Sequence, residues 1–125
     1  MLSVNLSWNR GISWGMLQFD SSLGFAVLSV GIILIVVLLT IYTFVQYRAH
    51  ENICGEVLIL AGAVSNIVDR FWYNSVVDFI DFHVNDYFWP VFNVADAFIV
   101  LGVGIVVIKN LLKAQSDDKS EFNRI

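Results

Sequence analysis

Asp96 stands inside an apolar run, Phe88 to Ile108, where an ionisable side chain is expensive to keep and so points to a function. It follows Asn93 by three residues, a spacing that puts both side chains on one face of a helix and gives the carboxyl an amide to orient it. A second polar set closes the preceding apolar run: Asn66 and Arg70 are four residues apart, share a helical face and have Asp69 beside them. Between the two runs lie Asp78 and Asp81, either of which can fold back over the helix ends toward Asp96. Two carboxyls in one water-poor site share a proton, because like charges raise the cost of ionising both. One then serves as acid and the other as base, the condition under which paired aspartates activate water and protonate an amide nitrogen. Such chemistry needs neither a metal nor a nucleophilic side chain.

Other polar residues read more plainly. Asp81 and Asp86 fit solvated loop charges, Asp69 and Arg70 fit a helix-end pair that orients its neighbours, and Arg70 is also suited to a phosphate. Glu56 belongs at the opposite end of its helix, too far away to join the cluster. A single cysteine, Cys54, excludes an intrachain disulfide, and with the distant His50 and His83 it offers no metal-ligand spacing.

These side chains need a scaffold, and composition says in which solvent. Of the 125 residues 58% are hydrophobic and only 14% charged, with a mean hydropathy of +0.73, which is wrong for a small soluble domain and right for one in lipid. Leu23 to Val45 carries no charge and is long enough to cross a hydrocarbon core of roughly 30 Å. It lacks the basic start, short apolar run and small-residue cleavage site of a secretory signal. Further runs lead to expected spans at about 23–45, 53–70 and 88–108, followed by a polar cytoplasmic tail over 109–125 that is expected to fray from Gln115 to Ile125. The class expected is an all-α integral membrane protein forming a single membrane domain.

Lys and Arg in short loops mark the cytoplasmic side. Arg48 marks one loop, and Lys109, Lys113, Lys119 and Arg124 mark the tail, whereas Phe71 to Trp89 holds three Asp and no Lys or Arg. The N-terminal segment and the Asp-rich connection between the second and third spans then share the outer face, with Trp8, Trp14, Phe71, Trp72, Tyr73, Phe88 and Trp89 near the interface. The connection 74–87 is left open between an extended segment and a short interfacial helix. A formal charge of −4 and the absence of a basic stripe argue against nucleic acid.

The run Ala61-Gly62-Ala63-Val64-Ser65-Asn66-Ile67-Val68-Asp69-Arg70 resembles the Gly-Gly-Ala-x-Gly-Asn-x-x-Asp-Arg signature of the lipoprotein signal peptidases. Val76-Val77-Asp78-Phe79 and Phe92-Asn93-Val94-Ala95-Asp96 resemble the two blocks that follow it, and Trp8-Asn9-Arg10-Gly11-Ile12-Ser13-Trp14-Gly15 resembles the family's Asn-x-Gly-x-x-Phe-Gly block. The resemblance implies Asp78 and Asp96 as a catalytic dyad, Asn66, Arg70 and Asn93 as its support, and Asn9 and Gly11 near the substrate. It implies cleavage of bacterial prolipoproteins on the amino side of a diacylglyceryl-modified cysteine, in the cytoplasmic membrane with the site outside. It also implies membrane lipids as partners, sensitivity to globomycin-type inhibitors and no cofactor. Ala61 and Ser65 replace signature glycines and, being small, are expected to keep helix packing close. Family members carry a further span ahead of the Asn-x-Gly block, so this chain is expected to be a fragment, a misassigned start or a shortened homologue. Two rivals remain: an inactive or truncated relative that binds lipidated peptides without cutting, and a proton-conducting subunit using Asp96 as a relay. The second leaves the Asn9–Gly11 and Asn66–Arg70 blocks unexplained.

Overall fold

The computed structural model describes residues 2–12 and 21–122; Ser13, Trp14 and Gly15 of the first block lie outside them. In chain order the elements are β1 (Leu2–Asn9), α1 (Ser22–Arg48), α2 (Cys54–Tyr73), β2 (Val76–Val84), β3 (Tyr87–Phe88) and α3 (Val94–Phe122). The molecule is mostly helical, but the all-α expectation needs correcting, because β1, β2 and β3 form an antiparallel sheet in that order.

The sheet has a plain cause. Leu2-Ser3-Val4-Asn5-Leu6-Ser7-Trp8-Asn9 alternates apolar and polar residues, the period of a strand with two unlike faces. It pairs with β2 from Leu2 opposite Phe82 to Asn9 opposite Val76, so the connection after α2 is extended. Between Val4 and Ser7 the register shifts, two β1 residues facing one of β2, a bulge that re-aims the side chains beyond it. Asn74 ends α2 in the left-handed conformation, and Asn85 takes it in the turn before β3, a backbone region that Asn tolerates.

The third apolar run starts its helix six residues later than expected, at Val94 rather than Phe88. Phe88 belongs to β3, and Phe92 makes a bridge with Ile80, exchanging backbone hydrogen bonds of 2.7 and 3.0 Å. Pro90 cannot continue a helical ladder, and the backbone groups on either side of it bond to β2 instead. At the other end α3 runs on to Phe122, where a frayed tail was expected. Residues 109–122 contain neither Gly nor Pro, and Lys109 and Lys113 tie this stretch to Glu56 of α2 and to Glu51 just ahead of it.

Burial is inverted relative to a soluble domain. The buried set includes Asn9, Glu56, Asn66, Arg70, Asp78, Asn93 and Asp96, whereas Leu34, Ile35, Leu38, Leu101, Val103 and Ile108 are exposed. Such helix faces are stable only where the surroundings are apolar. Two helices, α1 and α3, are long and apolar enough to cross a membrane. The 20-residue α2 has the length but carries Glu56, Asp69 and Arg70.

α2 packs chiefly on α3, through small residues. A Cβ on Gly62 would come within 2.3 Å of the Ala95 carbonyl oxygen, and one on Gly55 within 2.8 Å of that of Gly102. Gly55 and Gly62 lie seven residues apart, as do Ala95 and Gly102, so each pair returns to one helix face. Ala61 and Ser65 are exposed, so close packing does not pass through them.

Candidate active site

Four elements converge where the sheet meets the ends of α2 and α3. Asp78 is the third residue of β2 and is 2% exposed; Asp96 is the third residue of α3 and is 3% exposed. Asn93 stands just ahead of α3, not within it. Its Oδ1 accepts from the Asp96 backbone N–H at 2.9 Å, while its own N–H donates to Asp96 Oδ2 at 3.3 Å. This is a reciprocal helix cap, which explains the three-residue spacing better than a shared helical face does.

The same Asn93 joins the two carboxyls. Its Nδ2 donates to Asp78 Oδ1 at 3.1 Å and to Asn66 Oδ1 at 3.0 Å, and Asn66 Nδ2 donates to Asp96 Oδ1 at 3.0 Å. The other Asp78 oxygen accepts from Asn9 Nδ2 at 3.0 Å. A continuous chain of side-chain hydrogen bonds therefore runs Asn9, Asp78, Asn93, Asn66, Asp96. Asn9 holds its own loop as well, its Oδ1 accepting from Gly11 N–H at 2.8 Å. The Gly11 carbonyl in turn accepts from Arg70 Nη2, so α2 grips the loop through its last turn.

Burial pushes the Asp78 carboxyl up to about 6, and the neighbouring Asp96 pushes the same way; the bonds from Asn9 and Asn93 and the charge of Arg70 oppose it. Asp78 thus keeps a proton well above the ordinary carboxylate range.

All seven residues singled out in the sequence, Asn9, Gly11, Asn66, Arg70, Asp78, Asn93 and Asp96, meet in this cluster. The remaining acids stay outside it. Asp69 Oδ2 accepts from the Val77 N–H at 3.3 Å and ties β2 to α2; Asp81 accepts from Asn5 at the sheet edge; Asp86 is exposed. Glu56 pairs with Lys109 at the far end of α2. Two contributors escaped the sequence reading. Gly62, one helical turn before Asn66, lets α3 approach closely enough for the amide to reach Asp96, and its spacing of four from Asn66 was the available signal. Phe25 of α1 carries both Arg10 and Arg70, their guanidinium carbons 5.3 and 5.7 Å from its ring centre; an aromatic residue in an apolar span gave no such hint.

Residues 1–112 match the family model described as signal peptidase (SPase) II. The chain belongs to that family. Relatives named lipoprotein signal peptidase include one from Thermodesulfovibrio yellowstonii, 41% identical over 84% of this chain and 67% of its own length. Another, from Nitrobacter hamburgensis, is 41% identical over 86% of this chain and 68% of its own length, and one from Rickettsia conorii is 36% identical over 85% and 52%. The chain thus spans about half the length of the Rickettsia relative and about two thirds of the other two. A bacterial membrane enzyme solved by the in meso method at 2.3 Å resolution superposes with a TM-score of 0.68 at 30% identity, covering 93% of this chain and 68% of that one. A second, at 1.9 Å, gives 0.63 at 29% identity. This signal peptidase II relative is accordingly a membrane protein of a peptidase family, and the buried carboxyl pair falls within the matched residues.

Proposed function

We propose that the chain is a membrane aspartic endopeptidase that removes signal peptides from diacylglyceryl-modified bacterial prolipoproteins, cutting on the amino side of the lipidated cysteine. The observation that carries this reading is the hydrogen-bonded chain from Asp78 through Asn93 and Asn66 to Asp96, which holds two buried carboxyls in one network. In the ionised member of the pair the carboxylate takes a proton from water, whose oxygen attacks the scissile carbonyl carbon. The protonated member gives its proton to the amide nitrogen as the C–N bond breaks, leaving a carboxyl on the signal peptide and an amine on the lipidated cysteine. The elevated Asp78 is suited to the protonated role.

Asn9 and Gly11, tied to each other, to Asp78 and to Arg70, form the adjoining wall beside which the substrate lies in this reading. Lipid anchoring fixes the scissile bond at one depth, so positioning is supplied by the acyl chains and not by long peptide contacts. In this reading α2 is a third span whose charged residues are sheltered by α3 and the sheet. The sheet faces the outside of a bacterial cytoplasmic membrane, and Arg48 and the Lys-bearing end of α3 lie inside. Asp96 belongs to a helix cap at the end of α3 rather than mid-span, which suits hydrolysis at an interface better than a proton relay across the bilayer.

The test is cleavage of a diacylglyceryl-modified prolipoprotein by the purified chain in lipid, with globomycin and Asp96→Asn as controls. Globomycin-sensitive cleavage that vanishes in the variant is expected. Binding of the lipidated peptide without cleavage, even after an upstream helix is added, would replace the enzyme by an inactive relative.

A further inference from the structure

A cleft of about 520 Å³ opens between α1 and α2 at the sheet end of the molecule, apart from the carboxyl pair. Its upper part is cationic: Arg10 and Arg70 line it, both over the ring of Phe25, and no carboxylate is among the described lining residues. Its lower part is apolar, running down α1 past Ala26 to Ile33 and along α2 at Ile67. Arg70 is 6% exposed, and its Nε and Nη1 have no hydrogen-bond partner among the described residues. A buried guanidinium uses one nitrogen on the Gly11 carbonyl and keeps two donors for something else. The two face different sides of the guanidinium plane, Nε–H on the edge it shares with Nη2 and Nη1 on the far side, so each offers a separate charge-assisted donor to an anion oxygen.

We propose that this cleft binds an anionic phospholipid, its phosphodiester on Arg70 and Arg10 and one acyl chain in the groove between α1 and α2. From Ser22 to Ile33 the groove descends about 16 Å at the rise of a helix, the length of most of an acyl chain. The cation pair sits at the sheet end of the groove, where a headgroup belongs if the sheet lies at the membrane surface. The proposal rests on that membrane setting, not on the cleavage reaction. A bound lipid also gives Arg70 a partner other than the neighbouring carboxyls, so the lipid composition of the bilayer bears on the site.

The experiment is native mass spectrometry of the 125-residue chain released from mixed micelles holding equal amounts of phosphatidylglycerol and phosphatidylcholine. Preferential retention of one phosphatidylglycerol is expected. Arg10→Gln should lower that retention roughly tenfold, the loss expected for one charge-assisted hydrogen bond. Ile33→Trp, which fills the lower groove and leaves both arginines in place, should lower it as well. Equal retention of the two lipids, or retention indifferent to both substitutions, would overturn the proposal. So would displacement by glycerol 3-phosphate together with indifference to Ile33→Trp, which describes a site for a free phosphate ester. Retention is read without any peptide, so a chain that fails to cleave prolipoprotein but holds the lipid sinks the protease reading alone.

Discussion

Asn93 and Asp96 cap each other across the start of α3, the Asn93 side-chain Oδ1 accepting from the Asp96 N–H at 2.9 Å and the Asp96 carboxylate accepting from the Asn93 backbone N–H at 3.3 Å. The cap does more than begin a helix, because the free amide of the same Asn93 reaches Asp78 and Asn66. Helix initiation and carboxyl alignment therefore depend on a single side chain. Asn93→Ser keeps an oxygen for the cap and loses the amide; Asn93→Ala loses both. The alanine variant should be less stable than the serine variant by about 1 kcal/mol, while both lose most cleavage. Unfolding in bicelles alongside prolipoprotein turnover separates the two roles; a serine variant with unimpaired turnover would deny the amide its part.

The raised Asp78 carboxyl has a consequence for stability. Its ordinary value is 3.8 and its folded value about 6, so between these the folded protein binds more protons than the unfolded chain. Stability is then highest below the lower value and falls as pH rises through about 6, after which this contribution is flat. Asp78→Asn should flatten that slope. Unfolding of the two proteins at intervals from pH 4 to 7 checks it, and parallel profiles would mean that Asp78 is not the titrating group.

Gly62 and Gly104 make a matched pair. A methyl group on Gly62 collides with the Ala95 carbonyl, which is backbone and cannot swing aside, so Gly62→Ala forces α2 from α3 just where Asn66 reaches Asp96. A loss of roughly 1–3 kcal/mol is expected, with a fall in turnover. Around Gly104 a Cβ meets nothing within 4 Å, and Gly104→Ala should be neutral or stabilising by up to about 1 kcal/mol. Equal effects at the two positions would mean that the approach of the helices is not as close as described.

What could be read from the residues divides by range. Asp96 with Asn93, and Asn66 with Arg70, were visible because helical spacing is local and an acid in an apolar run is costly. The meeting of Asn9 with Asp78 was not, since 69 residues separate them and only the pairing of β1 with β2 brings them together. The alternation in Leu2–Asn9 has the period of a strand, but nothing local to it says which segment it pairs with. The apolar character of Phe88 to Phe92 fits the start of a span, and Pro90 marks the place where the helical ladder cannot continue. The Glu56–Lys109 pair, 53 residues apart, depends on how α2 and α3 slide along each other, which no local pattern sets.

That pair yields a prediction of its own. Glu56 is 1% exposed and Lys109 partly so, and removing the lysine leaves a buried carboxylate without compensation. Lys109→Met should cost about 3–5 kcal/mol, and adding Glu56→Gln to it should recover a good part of that loss. Turnover per folded molecule should stay close to that of the unmodified chain in the double variant, because the pair lies at the opposite end of α2 from Asn66. A double variant no better than Lys109→Met would show that the pair's attraction, not the stranded charge, sets the cost.

The choice of carboxylates is open to direct attack at the sheet. Asp78 and Asp81 lie three residues apart on β2, and each accepts a side-chain amide from β1, Asn9 for Asp78 and Asn5 for Asp81. Only Asp78 shares an amide with the network that reaches Asp96; Asp81 is held to β1 by an exposed bond. Asp78→Asn and Asp96→Asn should each lower turnover by about 10²–10⁴ or more while leaving the chain folded and inserted, since each removes one of the two proton carriers. Asp81→Asn should change it less than about threefold, a rim charge being worth under roughly 1 kcal/mol. The comparison is made on one prolipoprotein preparation with insertion checked for every variant. An inactive Asp81→Asn beside an active Asp78→Asn would move the dyad three residues along β2 and detach the reaction from Asn93.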